Sequence, residues 1–338
     1  MILVTGGLGY IGSHTVVALL QNNYKVVIAD DLSNSSIDVL KGITAITGEC
    51  PAFEQVDLKD AVKVQTLFKT YPSINGVLHF AASKAVGESV TNPLKYYQNN
   101  LSVLMNLLTQ ISSPLNFVFS SSCTVYGQVD ILPIKEDTPT QRPESPYGNT
   151  KKVCEEILED FSNASGLIKT ISLRYFNPIG AHLSNLIGEN PEGVPQNLVP
   201  YITQSAIGRV PELTVHGTDY PTHDGTCIRD YIHVEDLANA HVAALKYLEN
   251  EEKQEKFEIF NLGTGQGSSV LEVIQSFIRV TGIFLNYSIG PRRAGDIIAA
   301  YANIDKAIKN LKWRPKFTLD DAIKSAWEWE KYNYKRLK

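Results

Sequence analysis

The sequence predicts an α/β protein built on a doubly wound parallel sheet, with a smaller α/β lobe toward the C-terminus. Three observations carry that expectation. Short apolar runs alternate with amphipathic stretches through the first half, the pattern of βαβ units whose sheet is covered on both faces. The first run is closed by a glycine-rich turn, Thr5-Gly6-Gly7-Leu8-Gly9-Tyr10-Ile11-Gly12. After Asn177 the alternation stops, and residues 178–227 are rich in Pro, Gly, Asn and Thr.

Taken in order, Ile2-Leu3-Val4-Thr5 reads as a strand and Tyr10 to about Leu20 as a helix. Lys25-Val26-Val27-Ile28-Ala29 is mostly β-branched and ends at Asp30-Asp31, a second strand. A strand near Phe53–Val56, a helix near Ala61–Thr70 and a strand at Val77–Phe80 follow. A helix around Leu94–Gln110, a strand at Asn116–Ser120, a helix over about Ser145–Ser165 and a strand at Lys169–Arg174 complete the series. That makes roughly six or seven parallel strands, a Rossmann-type sheet. Beyond it, helical periodicity marks Leu198–Gly208, Val234–Leu248, Val270–Thr281 and Leu319–Tyr332. Residues 1–177 are therefore expected to bind a dinucleotide, and residues 178–338 to form a second lobe, some of whose segments return to the large sheet.

With 338 residues, 43% of them hydrophobic, the chain can bury one large core or two with a cleft between them. The net charge of −5 argues against a nucleic-acid or anionic-membrane surface, although a few local arginines would still hold a phosphate. No apolar run approaches the roughly 20 residues of a membrane span. Residues 2–4 run directly into glycines, which is not the pattern of a signal peptide. Cys50, Cys123, Cys154 and Cys227 have neither metal spacing nor a C-x-x-C pair. No metal is expected, and free thiols in a reducing cytoplasm are.

The glycine turn stands between the first strand and the first helix, where phosphate-binding turns belong. Gly6 and Gly9 permit the tight turn, and Gly12 lets the helix pack near the strand. The helix start then offers free N–H groups and a positive dipole end to a pyrophosphate. Asp30, at the end of the next strand, suits an adenosine ribose diol. With Asp31 beside it and no arginine nearby, it would repel a 2′-phosphate, so NAD is expected rather than NADP. Asp57 closes the third strand, either to meet the adenine amino group or to cap the helix after it.

Tyr147 and Lys151 lie four apart at the start of a predicted helix and so share a face. A phenol titrates near 10 and is a poor base at neutral pH. A neighbouring ammonium and a positive nicotinamide ring both favour the phenolate. Ser120-Ser121-Ser122 ends the fifth strand at the ligand-binding edge, where Ser122 can hydrogen-bond both phenol and substrate hydroxyl.

These segments together resemble the extended short-chain dehydrogenases/reductases, and within them the sugar-nucleotide epimerases. The likeness rests on Gly9-Tyr10-Ile11-Gly12-Ser13-His14, His79-Phe80-Ala81 and Lys84-Ala85-Val86-Gly87-Glu88-Ser89. Thr124-Val125-Tyr126-Gly127, Ser145-Pro146-Tyr147-Gly148, Arg174-Tyr175-Phe176-Asn177-Pro178 and Arg229-Asp230-Tyr231-Ile232-His233-Val234 extend it along nearly the whole chain. The resemblance implies inversion at C4 of a UDP-hexose through a transient 4-keto sugar, with tightly bound NAD. It makes Ser122, Tyr147 and Lys151 the catalytic trio, Tyr147 being the base.

By the same resemblance Gly6, Gly9, Tyr10, Ile11, Gly12, Asp30, Asp31, Asn34, Ser35, Asp57, Leu58, Phe80, Ala81, Lys84, Asn99, Tyr147, Lys151 and Tyr175 line the NAD site. Ser122, Thr124, Tyr147, Asn177, Asn197, Leu198, His216, Arg229, Arg293, Asp296 and Ala300 line the UDP-sugar site. Arginines suit a diphosphate, and Asp296 a ribose diol. Read without the resemblance, Arg229 and Arg293 are ordinary ion-pair residues, and His233 and Asp236 are structural. Many bacterial members carry a bulky tyrosine where Ala300 stands, so room for an N-acetyl group is implied. A homodimer through the helices near 94–110 and 146–165 is also implied. A 4,6-dehydratase of the same family would need a carboxylate after the strand, where this chain has Ser122-Cys123-Thr124. A reductase would release its cofactor. A non-catalytic NAD sensor would have little use for the serine, tyrosine and lysine.

Overall fold

The computed structural model describes residues 1–250, 252, 255–293 and 296–337. Its first half runs β1 (Ile2–Thr5), α1 (Tyr10–Gln21), β2 (Val26–Asp30), α2 (Asp38–Thr47), β3 (Ala52–Gln55), α3 (Ala61–Thr70) and β4 (Gly76–His79). Then come α4 (Val86–Thr91), α5 (Pro93–Leu108), β5 (Leu115–Ser120), α6 (Pro146–Ser165) and β6 (Ile168–Tyr175). The remainder runs β7 (Asn177–Ile179), α7 (Leu198–Ala206), β8 (Leu213–His216), β9 (Ile228–Arg229), β10 (Tyr231–His233) and α8 (Val234–Leu248). It ends with β11 (Phe257–Leu262), β12 (Ser268–Ser269), α9 (Val270–Thr281), β13 (Tyr287–Gly290), β14 (Ala299–Ala300) and α10 (Leu319–Leu337).

Seven strands form one parallel sheet in the order β11-β6-β5-β4-β1-β2-β3. This is the doubly wound, Rossmann-type architecture expected. The chain winds outward from β1 through β2 and β3, then restarts at β4 and winds the other way. The direction reverses between β1 and β4, and the crevice outside the C-terminal ends of those strands is where such sheets take ligands. β11 is the segment of the second half that joins this sheet, parallel to β6.

Two apolar layers sandwich the sheet because strand side chains alternate. Ile2 and Val4 pack with Val16, Leu19 and Leu245 on the side of α1 and α8. Leu3 packs with Leu104, Phe117 and Leu158 on the side of α5 and α6. A third core, around Val215, Phe277 and Trp327, belongs to the second half. A small fourth one joins Val125, Tyr126, Phe176 and Ala300. Among the described residues no helix is long and apolar enough to cross a membrane, and all four cysteines are free.

The helix α2 has no clear counterpart in the sequence pattern. Val39, Ile43, Thr44 and Ile46 are β-branched and weaken local helix preference. Packing of Val39, Leu40, Ile43 and Ile46 on the core overrides that preference. The short strands β7 to β10 and β12 to β14 are two to four residues long, too brief for periodicity to register.

α6 is docked by a buried ion pair. Arg174 of β6 donates to Glu155 of α6, Nε to Oε1 at 3.0 Å and Nη2 to Oε2 at 2.7 Å. Burial alone would lower the Arg174 pKa, but the hydrogen bonds and charge of Glu155 override it and raise it. Arg174 therefore stays charged out of water. Arg174→Met leaves the carboxylate buried without its cation, which is expected to cost about 3–5 kcal/mol. Urea unfolding checks this, and a loss under about 1 kcal/mol, the scale of an exposed pair, would contradict it.

Candidate active site

The turn after β1 is shaped by close approaches. Gly6 has a left-handed φ of +66°, and a Cβ there would lie 2.8 Å from the Ala81 backbone nitrogen after β4. A Cβ on Gly12 would collide with the Gly6 carbonyl and with Gly7. Both positions thus exclude any side chain. Gly9 forms the N-cap of α1 with no side-chain cap, and the first turn carries no acidic residue. Its N–H groups face the crevice as anion donors.

Asp30 ends β2 and is buried. Its Oδ2 accepts from the Leu8 N–H at 3.0 Å, and its Oδ1 from the Leu32 N–H at 3.0 Å and the Ser35 hydroxyl at 2.8 Å. The carboxylate is thereby aimed across the turn. Asp31 is exposed and holds Ser33, and Asn34 is exposed beside it. Uncapped helix start, side-chain-free cradle and oriented carboxylate fit a dinucleotide carrying a free ribose diol.

The other expected cofactor residues lie along the same sheet edge with different partners. Tyr10 donates to the Gly180 carbonyl at 2.7 Å, tying the turn to the second half. Ile11 and Phe80 border the core on the α1 side, and Phe80 packs on the His241 ring at 4.7 Å. Leu58 is buried on the other face. Lys84 pairs with Glu189 at 3.5 Å. Asn99 donates to the Asn100 side chain. Asp57 holds the Lys59 N–H and ammonium, while the cap of α3 is Asp60, accepting from the Val62 and Lys63 N–H groups. The capping alternative for Asp57 is thus corrected.

Ser145 starts α6, its hydroxyl accepting from the Gly148 N–H at 3.2 Å, and Pro146 follows at the first turn. This places Tyr147, Lys151 and Glu155 one turn apart on the buried face. Lys151 Nζ donates to the Ser120 carbonyl at 2.7 Å and lies 5.9 Å from the Tyr147 ring centre. Ser120 Oγ and Tyr175 Oη are 2.7 Å apart. Ser122 Oγ accepts from the Thr124 N–H at 3.2 Å and from its hydroxyl at 3.0 Å.

Burial lowers the Lys151 pKa to about 8. It pushes the Tyr147 phenol well above its ordinary value, with Tyr175 adding to the rise and the Ser122 hydrogen bond opposing it. Burial thus governs the phenol in place of the expected lowering by Lys151, whose ammonium is directed at Ser120 instead.

In the second half, Arg229 of β9, Arg293 and Asp296 come together. Arg293 Nε donates to Asp296 Oδ2 at 3.0 Å, and Arg229 Nη2 lies 3.7 Å from Oδ1. Ala300 of β14 pairs in register with Arg229 and is buried against Val125, Tyr126 and Phe176. It therefore sits between the arginine pair and the turn that follows Ser122. Asn197 starts α7 and donates to Glu189 at 3.0 Å, with Leu198 next in line. Asn177 opens β7 against Asp230. His216 of β8 contacts the Pro291 carbonyl at 3.1 Å. His233 caps α8 and Asp236 holds the 316–317 backbone.

Four contributing residues receive no role from motif reading, Ser121 although it stands inside the Ser120-Ser121-Ser122 segment: Glu155, Ser121, Asn100 and Thr150. Asn100 is buried and bridges Ser83 to Thr150 Oγ1, which in turn donates to the Tyr147 carbonyl. Only the four-residue step from Tyr147 through Lys151 to Glu155 hints at one of them in the sequence.

Residues 2–263 match the model of the NAD dependent epimerase/dehydratase family. The chain is 47% identical to a UDP-glucose 4-epimerase of Erwinia amylovora over 98% of each chain. It superposes with a TM-score of 0.94 on a UDP-glucose 4-epimerase of Stenotrophomonas maltophila, solved with bound NAD and formylated UDP-arabinopyranose, at 46% identity and 99% coverage of both chains. A Bifidobacterium longum enzyme of the same name, in complex with NAD+ and UDP, gives 0.93 at 44% identity and 98% coverage of both.

Gly12→Ala forces the turn and α1 apart. It is expected to cost about 1–3 kcal/mol and to remove dinucleotide from the purified protein. Absorbance of cofactor released on denaturation measures this, and undiminished content would refute the cradle.

Proposed function

This chain belongs to the NAD dependent epimerase/dehydratase family, and from that premise we propose that it is an isomerase inverting C4 of UDP-hexoses through a transient 4-keto sugar. The observation that carries the reading is the junction of three parts at one sheet edge. These are the side-chain-free turn at Gly6–Gly12, the Ser122–Tyr147–Lys151 group and the Arg229–Arg293–Asp296 group.

Bound NAD supplies a reversible hydride acceptor and, through its positive ring, a field that favours the phenolate. The turn at Gly6, Gly9 and Gly12 holds its pyrophosphate, and Asp30 its ribose diol. Tyr147 Oη takes the C4 hydroxyl proton and later returns it, while Ser122 Oγ hydrogen-bonds both oxygens. Lys151 keeps the end of β5 and the phenol in one geometry and contributes positive charge beside the ring. Arg229 and Arg293 grip the diphosphate, and Asp296 orients them and meets the uridine ribose. Firm grip on the diphosphate leaves the hexose free to present either face. The dehydratase alternative is not favoured, since Cys123 and Thr124 supply no carboxylate after Ser122.

The division near residue 177 into an NAD lobe and a UDP-sugar lobe belongs to the same proposal, as does firm cofactor retention. So does a homodimer through α5 and α6, supported by the exposed Leu94 and Met105 on α5. A cytoplasmic location agrees with the free cysteines.

Pure protein given UDP-galactose and no added cofactor is expected to form UDP-glucose, followed by NMR of the C4 epimers. No conversion even with NAD supplied would refute the activity, and conversion only with added NAD would refute retention. Tyr147→Phe is expected to lower kcat by about 10²–10⁴-fold. UDP-N-acetylgalactosamine should also turn over in the wild type, because Ala300 leaves space. Ala300→Tyr should abolish the acetylated reaction selectively, and equal loss of both substrates would show that the position does not select.

A further inference from the structure

Glu155 takes no part in the proposed chemistry, yet its carboxylate is among the most heavily bonded side chains in the structure. Oε1 accepts from the Ser121 hydroxyl at 2.7 Å, the Ser172 hydroxyl at 2.6 Å and Arg174 Nε at 3.0 Å. Oε2 accepts from Arg174 Nη2 at 2.7 Å. Three donors of β6 thus hold the carboxylate, and one donor comes from the end of β5. All these groups are buried.

Ser121 sits between two residues with different partners. Ser120 gives its carbonyl to Lys151 and its hydroxyl to Tyr175. Ser122 accepts from Thr124 and opposes the burial-driven rise of the Tyr147 phenol. The middle side chain turns inward onto α6, one helical turn beyond Lys151. Two rungs therefore connect α6 with the strand end: Lys151 to Ser120, and Glu155 to Ser121. Two rungs one turn apart set both the axial register and the rotation of a helix.

We propose that the Ser121–Glu155 hydrogen bond is a positioning contact for catalysis, holding Ser122 and the Ser120 carbonyl in register with Tyr147 and Lys151. This rests on the epimerase reading. β6 holds the carboxylate redundantly, through Ser172 and both Arg174 nitrogens, so a lost Ser172 bond leaves it in place. Among the described residues that bond Glu155, only Ser121 lies at the end of β5. Loss of the Ser121 bond removes one of the two rungs and leaves the strand end held by Lys151 and by the Ser121 N–H on the Leu173 carbonyl, while the ion pair and the fold remain.

The test compares Ser121→Ala with Ser172→Ala, each removing one hydroxyl from the same carboxylate oxygen. Both variants should retain NAD and unfold at similar temperatures. Ser121→Ala should lower kcat for UDP-galactose by about ten- to a hundredfold with KM little changed, while Ser172→Ala keeps wild-type kcat. If Ser121→Ala proves insoluble, Ser121→Cys keeps the volume with a weaker donor and should show the same split. Equal kcat in the two variants, or a loss in KM alone, overturns the inference. An inactive wild type instead overturns the epimerase reading, and this inference with it.

Discussion

The salt bridge between Glu155 and Arg174, sealed between α6 and β6, governs where the reactive side chains stand. A charged pair out of water is held together by the large cost of separating it. That same cost makes it a rigid spacer: α6 cannot slide or turn without stranding a charge. Lys151 and Tyr147 lie on the same helical face one and two turns away, so their heights above the sheet edge are inherited from the pair. Phe119, whose ring lies 4.8 Å from the Lys151 ammonium, closes the apolar wall beside them.

That rigidity belongs to the first half of the chain, and the second half contributes a different kind of contact. Arg229, Arg293 and Asp296 are partly exposed and linked by longer contacts. Such a trio can exchange partners when an anion arrives, since solvent-accessible ion pairs are weak. In the proposed reaction the hard, desolvated groups would stand where a proton moves, and the adaptable ones where a diphosphate is taken up. β11 keeps these regions together by adding a strand of the second half to the large sheet, beside the strand that carries Arg174.

Much of this could be read from the residues because the decisive segments are local. A strand, a glycine turn and a helix start are contiguous, and Tyr147 and Lys151 are four residues apart, so period and spacing suffice. The fold class follows from the same alternation. Glu155 was opaque for the opposite reason. A glutamate on a helix with a mean composition like that of α6 reads as solvated, and its partners at 121, 172 and 174 come from two different strands. The roles of Asp57 and Asp60 were likewise inseparable by residue type, because either aspartate can cap α3 and only backbone geometry distinguishes them. Even the Tyr147–Lys151 spacing predicted proximity but not the dominant force on the phenol, which is burial.

That last discrepancy has a chemical meaning. A phenol kept protonated by burial is inert as a base until positive charge arrives at close range, and Lys151 is turned toward Ser120 rather than toward it. In the proposed reaction, base strength at Tyr147 would therefore depend on the cofactor being in place, coupling proton removal to the presence of the hydride acceptor. For a net isomerisation the coupling is useful in both directions. On this proposal the proton would leave only where its companion hydride can be received, and would return to the same oxygen when the hydride returns. A tight glycine cradle and a buried tyrosine are then two parts of one constraint: oxidation has to remain inside the site so that the outcome is inversion.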